Sequence, residues 1–178
     1  MLDTAIVPAP AVAADGESLA AHLFERHHVE VFAYLVRMVH DREWAQDLAQ
    51  ETFVQAYRHR DRLAGLHNPR AWLYRVATNL TLNALRRRRR FAWLPWEWHE
   101  GQTHAPDPSE AVSRQAQVEA ALASLSPDQR AALLLYAHYG LRIAEIAEVL
   151  NLTEGAARMR LQRAREQFRL AYRKEDVR

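Results

Sequence analysis

The chain has no cysteine. Disulfides, thiolate zinc sites, iron–sulfur ligation and a cysteine nucleophile are therefore excluded. Five glycines and seven prolines in 178 residues leave no room for collagen-like or low-complexity character. No apolar run approaches the ~20 residues that cross a bilayer. The first residues carry no basic segment and include Pro8 and Pro10, a poor fit to a signal peptide. Strand-like alternation is missing throughout. There is no Gly-x-Ser-x-Gly, phosphate loop or His-Glu-x-x-His. Glu25 and His28 form one Glu-x-x-His, a spacing that di-iron bundles need twice. The sequence reads as that of a non-enzyme with no cofactor and no metal.

Lysine is nearly missing too: Lys174 is the single one among 24 basic residues, and the rest are arginine. Arginine is the better residue for forked phosphate and base contacts, although genome composition can produce the same bias. The net charge of +2 conceals zones. Residues 1–17 carry −3, residues 18–85 carry +1, Arg86 to Arg90 carry +5, residues 91–110 carry −4, residues 111–150 carry −1 and residues 151–173 carry +4. Two basic patches flanking an acidic stretch suit a chain that touches a polyanion at two places.

Periodicity predicts helices only. Residues 1–17 read as a disordered arm. Ser18 opens a helix over 18–40, with Leu19, Leu23, Val31, Leu35 and Met38 inward. A second helix runs from Asp41 to His59. Its buried stripe is Ala45, Leu48, Ala49, Phe53, Ala56 and Tyr57, and Asp47, Gln50, Glu51 and Val54 share the opposite side. A loop follows from Arg60 to His67. Asn68-Pro69 supplies an N-cap with proline at N1 for a third helix reaching Arg90. Trp72, Leu73, Val76, Ala77, Leu80 and Ala84 form its inner face, and Trp72 and Tyr74 offer stacking surfaces for unpaired bases, core packing being the better reading of Trp72.

Residues 91–109 contain Pro95, Pro106, Pro108 and Gly101 and read as a linker, with Trp93, Trp96 and Trp98 requiring something to pack against. Helices resume over Glu110–Ala123 and after the capping box of Ser126-Pro127-Asp128-Gln129. Gly140 suits the end of that helix. A short helix over Arg142–Leu150, the turn Asn151-Leu152-Thr153 and a last helix from Glu154 form a helix-turn-helix. Ala157, Leu161, Ala164 and Phe168 align inward. Arg158, Met159, Gln162, Arg163, Arg165 and Arg169 lie outside the core stripe, as a major-groove reader requires.

These residues carry a family resemblance. Asp47-Leu48-Ala49-Gln50-Glu51-Thr52-Phe53, Asn68-Pro69-Arg70-Ala71-Trp72-Leu73-Tyr74-Arg75-Val76-Ala77-Thr78-Asn79, Leu122-Ala123-Ser124-Leu125-Ser126-Pro127 and Glu145-Ile146-Ala147 through Arg163-Ala164-Arg165 resemble the signatures of bacterial extracytoplasmic-function (ECF) sigma factors. The resemblance implies an all-α chain of two small helical domains joined by a flexible linker, the C-terminal one containing the helix-turn-helix. Residues 18–90 would be sigma domain two, 91–109 the linker and 110–178 sigma domain four. It implies a protein that binds core RNA polymerase and directs promoter recognition, DNA melting and transcription initiation. Its partners would be the beta-prime clamp helices, the beta flap, duplex promoter DNA, the melted non-template strand and an anti-sigma factor, with no membrane contact of its own. It implies a cytoplasmic, nucleoid-associated location, or retention at the membrane by the anti-sigma factor.

Carried over residue by residue, the resemblance assigns core-polymerase binding to Asp47, Gln50, Glu51 and Val54. It assigns minus-ten DNA binding to Arg60, Arg62, Arg75, Asn79, Asn83, Arg86 and Arg87, and minus-thirty-five binding to Arg158, Met159, Arg160, Gln162 and Arg163. The acidic linker would thread toward the polymerase active-site cleft. This chain has Gly155-Ala156-Ala157 where the family usually has Gly-Thr-Val, which removes a hydroxyl at the start of the recognition helix. Two alternatives stand beside this reading. One is a stand-alone helix-turn-helix regulator that binds duplex DNA without polymerase. The other is a decoy that binds an anti-sigma inhibitor without directing transcription.

Overall fold

A computed structural model describes residues 12–63, 65–91 and 110–175 of the chain. The described residues form α1 (Val12–Val39), α2 (Arg42–Arg58), α3 (Arg60–Leu63), α4 (Pro69–Phe91), α5 (Glu110–Ala123), α6 (Pro127–Ala137), α7 (Ile143–Leu150) and α8 (Glu154–Glu175). There is no strand among them. The linker with its three tryptophans and most of the N-terminal arm lie outside the described residues.

Local chemistry sets the boundaries. Helix α1 begins at Val12 rather than at Ser18; the Val12-Ala13-Ala14 start is rich in alanine, the best helix former. It stops where His40 takes a left-handed φ of 55°. Asp41 Oδ1 accepts the Trp44 N–H at 3.0 Å and opens α2. Asn68 Oδ1 accepts the Ala71 N–H at 3.0 Å and opens α4. Ser126 and Gln129 close the expected capping box on α6. Part of the expected loop from Arg60 to His67 is the short helix α3, pinned by the fully buried Leu63.

Helices α1 to α4 make one lobe and α5 to α8 the other. Their cores run together, because α4 packs on α7 and α6, and α1 packs on α6. Tyr139, between α6 and α7, sits against Tyr34 of α1 and Tyr74 of α4, with ring centroids 5.4 and 5.1 Å away. Tyr34 and Tyr74 meet edge-to-face at 5.6 Å. Such aromatic contacts contribute roughly 0.5–1.5 kcal/mol each beyond area burial. The Thr78 hydroxyl donates to the Tyr74 carbonyl at 2.6 Å, so the Tyr34 hydroxyl donates to Thr78 Oγ1 at 2.8 Å. Burial pushes the Tyr34 and Tyr74 hydroxyls above their ordinary pKa, and both stay protonated.

Polar ties reinforce this junction. Arg130 Nη1 donates to the Met38 carbonyl at 2.7 Å. Arg70 donates to the Tyr139 carbonyl at 2.8 Å. Asn68 Nδ2 donates to Glu145 Oε1 at 2.5 Å. Glu145 also accepts the Arg142 N–H at 2.7 Å. Burial alone would raise the Glu145 pKa, but the Arg142 amide and guanidinium outweigh it and hold the carboxyl below its ordinary value.

Candidate nucleic-acid and polymerase interfaces

The first surface lies on α2. Its core side is Ala45, Leu48, Thr52 and Ala56, with Ala49 and Phe53 partly covered. Thr52 is buried because its hydroxyl donates to the Leu48 carbonyl at 2.7 Å, which removes its polar cost. On the other side Asp47 and Gln50 are exposed, and Glu51 and Val54 are half-buried. Gln55 donates to Glu51 at 2.6 Å and fixes that carboxylate. The expected four residues therefore lie along one side of α2, with Asp47, Gln50 and Glu51 polar and Val54 the apolar end.

The second set of expected residues lies on α3, which packs on α1 and α2, and on α4. Arg75, Asn79 and Asn83 recur every fourth residue and are exposed, as are Arg62, Arg86 and Arg87. Arg60 stacks over Tyr57 with its guanidinium carbon 4.8 Å from the ring centroid, and it donates to the Tyr57 carbonyl at 3.3 Å. The aromatic expectations change places here. Tyr74 is fully buried and cannot stack on a base, because it forms the floor of the lobe junction. Tyr57, expected in the core stripe, is 50% exposed. Trp72 is partly buried against the core. The arginine run also divides. Arg86 donates to Asn83 at 3.3 Å on the exposed stripe, whereas Arg88 turns over the Trp44 ring at 5.1 Å.

The third surface is the helix-turn-helix. Asn151 takes the left-handed conformation, φ 52° and ψ 53°, and ends α7. Asparagine tolerates this region better than other side chains after glycine. The Thr153 hydroxyl accepts the Ala156 N–H at 3.2 Å. The start of α8 therefore has a hydroxyl cap from Thr153, although residue 156 carries none. Ala157, Leu161 and Ala164 are buried, and Arg158, Met159, Gln162, Arg163, Arg165 and Arg169 are exposed. Arg160 is the exception. It is half-buried and pairs with Asp128 of α6 at 3.2 Å, away from the open face.

Sequence reasoning missed one feature of this surface. A groove of about 620 Å³ lies beside α8, with Tyr136, Ile143, Arg158, Gln162, Arg165 and Arg169 among its walls. The Arg165 guanidinium covers the Tyr136 ring at 4.4 Å. The signal was available in part, since Tyr136 is a large aromatic on a helix that needs only one buried face. His28, of the single Glu-x-x-His, donates to the Phe24 carbonyl at 3.0 Å and stacks on the Phe24 ring. Among the described residues no cluster of metal-ligating side chains occurs, and no helix is long and apolar enough to cross a membrane.

Comparison with known proteins covers both lobes. The family described as Sigma-70 region 2 matches residues 23–91, and that described as Sigma-70, region 4 matches residues 115–168. The chain is similar to the RNA polymerase sigma-H factor of Pseudomonas aeruginosa, with 35% identity over 79% of this chain and 79% of that protein. It is similar to the ECF RNA polymerase sigma factor SigE of Mycolicibacterium smegmatis, with 33% identity over 83% of this chain but 59% of that protein's length. Its fold matches that of the sigma factor RpoE of Bartonella quintana, solved with the anti-sigma factor NepR, at a TM-score of 0.75 and 21% identity over 88% of this chain and 98% of that one. A match to region 2 as well as region 4 disfavours the stand-alone regulator, which needs only the latter. The chain belongs to the extracytoplasmic-function group of RNA polymerase sigma factors.

Proposed function

We propose that the chain binds core RNA polymerase through Asp47, Gln50, Glu51 and Val54 and directs it to promoters read at two places. The observation that carries this reading is the presence, on one chain, of two arginine-bearing surfaces of different kinds and a separate face on α2 that carries Asp47 and Glu51, with Arg58 beside Glu51 at 4.0 Å. Helices α3 and α4 offer Arg and Asn, and the exposed Tyr57 at the end of α2 lies under Arg60, a set suited to unpaired bases and their phosphates. The α8 surface offers a capped helix N-terminus and a polar recognition face, a set suited to the major groove. Arg60, Arg62, Arg75, Asn79, Asn83, Arg86 and Arg87 read and hold the melted minus-ten strand. Extruding a base costs a few kcal/mol, offset by stacking and pocket contacts. Arg158, Met159, Gln162 and Arg163 read the minus-thirty-five duplex, and Tyr136, Arg165 and Arg169 extend that contact along its backbone.

Residues 18–90 act as domain two and residues 110–178 as domain four. The resident partner between transcription events is an anti-sigma factor, by analogy with the Bartonella complex. The chain then works at the nucleoid and is stored with its inhibitor. Run-off transcription with core polymerase tests the reading. Asp47→Arg with Glu51→Arg is expected to abolish core binding and run-off product; full activity of that variant would sink the polymerase assignment.

A further inference from the structure

Helix α8 begins at Glu154, and in a helix-turn-helix the first residues of the second helix meet base edges. Ala157, Leu161 and Ala164 are buried and fix the inward side of α8. At roughly 100° per residue, Met159 stands about 200° round the axis from Ala157, so it points almost directly away from the lobe. Gly155 precedes it on the same side, with open space where a Cβ would stand. Gln162 and Arg163 flank it one turn on, about 60° to one side and 40° to the other. Met159 is 50% exposed. Among residues 154–164 it is the one large apolar side chain left exposed.

We propose that Met159 is a specificity-determining residue of the α8 surface, and that it packs on the C5-methyl group of a thymine in the minus-thirty-five element. The inference rests on the duplex-reading function above and names the base chemistry of that site. Thymine alone of the four bases sets a methyl group in the major groove, whereas guanine, adenine and cytosine present polar edges there. A thioether has no donor and is a weak acceptor. A polar edge beneath Met159 would lose its water and gain no hydrogen bond in return. A thymine methyl and the Met159 side chain instead shield each other from water, and the unbranched side chain adapts to the contact. The missing side chain at Gly155 lets the groove floor approach this part of the helix. Gln162 and Arg163 hydrogen-bond to neighbouring base edges and phosphates. Leu170 is an internal control. It is 58% exposed on the same side of α8, but it stands roughly 16 Å further along the axis, beyond the residues that meet base edges.

The test uses holoenzyme made from the full-length chain and core polymerase. It is given a pool of promoters randomised across the minus-thirty-five element, and the templates that yield run-off product are sequenced. A thymine is expected to be enriched at one position of the element. Replacing that thymine by deoxyuridine removes only the methyl group. The change is expected to weaken promoter binding by the wild-type holoenzyme about four-fold, the weight of one methyl group taken from water. Met159→Ala is expected to bind the thymine and deoxyuridine promoters equally, and its thermal melt should match wild type because the side chain is exposed. Met159→Leu and Leu170→Ala are expected to keep the four-fold preference. An element with no enriched thymine overturns the proposal, as does a wild-type holoenzyme indifferent to the methyl group. A Met159→Ala holoenzyme that keeps the preference overturns it too, since the methyl group then acts through another residue or through DNA shape. Failure of the function itself reads differently: no template of the pool yields product, which sinks the sigma reading and this proposal with it.

Discussion

Arg130 shows what a single buried residue does in this molecule. Its guanidinium donates to the carbonyls of Leu122, Ala123 and Leu125 at the end of α5 and to Met38 at the end of α1. Helix C-terminal carbonyls lack intrahelical donors, and a cation there also suits the dipole. One side chain thus satisfies acceptors from both lobes. Arg130→Met keeps the volume but strands those carbonyls, and is expected to cost about 3 kcal/mol in urea unfolding.

His40 is next to this group. Burial and the Arg130 charge lower its pKa to about 4. Glu119 faces it at 3.9 Å without reversing that shift. The unfolded chain takes up this proton near pH 6.5, whereas the folded chain refuses it until about pH 4. The contribution is therefore fully present above pH 6.5 and is lost as pH falls from there toward 4. His40→Asn, which suits the left-handed φ at this position, should flatten the pH dependence of stability in that window. An unchanged slope in chemical denaturation across that window would refute this role. At the promoter, Tyr57→Ala removes the exposed stacking surface and should cost about 1–3 kcal/mol in open-complex formation, read by fluorescence of a reporter base in the melted strand.

At the scale of elements, α4 carries two jobs on two faces. Tyr74, Ala77, Thr78 and Thr81 face the interior, while Arg75, Asn79 and Asn83 face solvent. Its arginine run follows the same division, so identical residues should fail differently. Arg87→Ala should weaken promoter binding and reduce its salt slope by about one unit, with stability unchanged. Arg88→Ala should cost about 0.5–1 kcal/mol of stability through the lost contact with Trp44, whatever it also does to DNA binding. Comparing thermal melts with salt titrations of the two variants checks this division. The α7–α8 turn is a second case. Asn151→Val at φ 52° is expected to destabilise by about 1–2 kcal/mol, and Asn151→Gly by much less.

For the whole molecule, the decisive fact is that the lobes share one core. The helix-turn-helix, the Asn68 cap, the capping box at Ser126 and the separate basic zones were all legible in the sequence. Each depends on residues a few positions apart, where periodicity and capping chemistry act. The Asp47–Val54 face was legible for the same reason, being the side of α2 opposite its apolar stripe. Tyr57 and Tyr74 were not. A tyrosine suits a core and a stacking surface equally well, and only its neighbours in space choose. Arg160 and Arg88 were not legible either, since nothing local distinguishes them from the arginines beside them.

The sequence by itself determined the helices, their caps, the charge zones and the family signatures, because all of these are written in short-range patterns. The tertiary structure alone decided that Tyr139 enters a notch in the other lobe, that Arg130 reaches a carbonyl 92 residues away and that Asp128 stands between Arg86 and Arg160. Those are contacts between distant segments, and their geometry follows from how whole helices pack rather than from any stretch of chain that forms them.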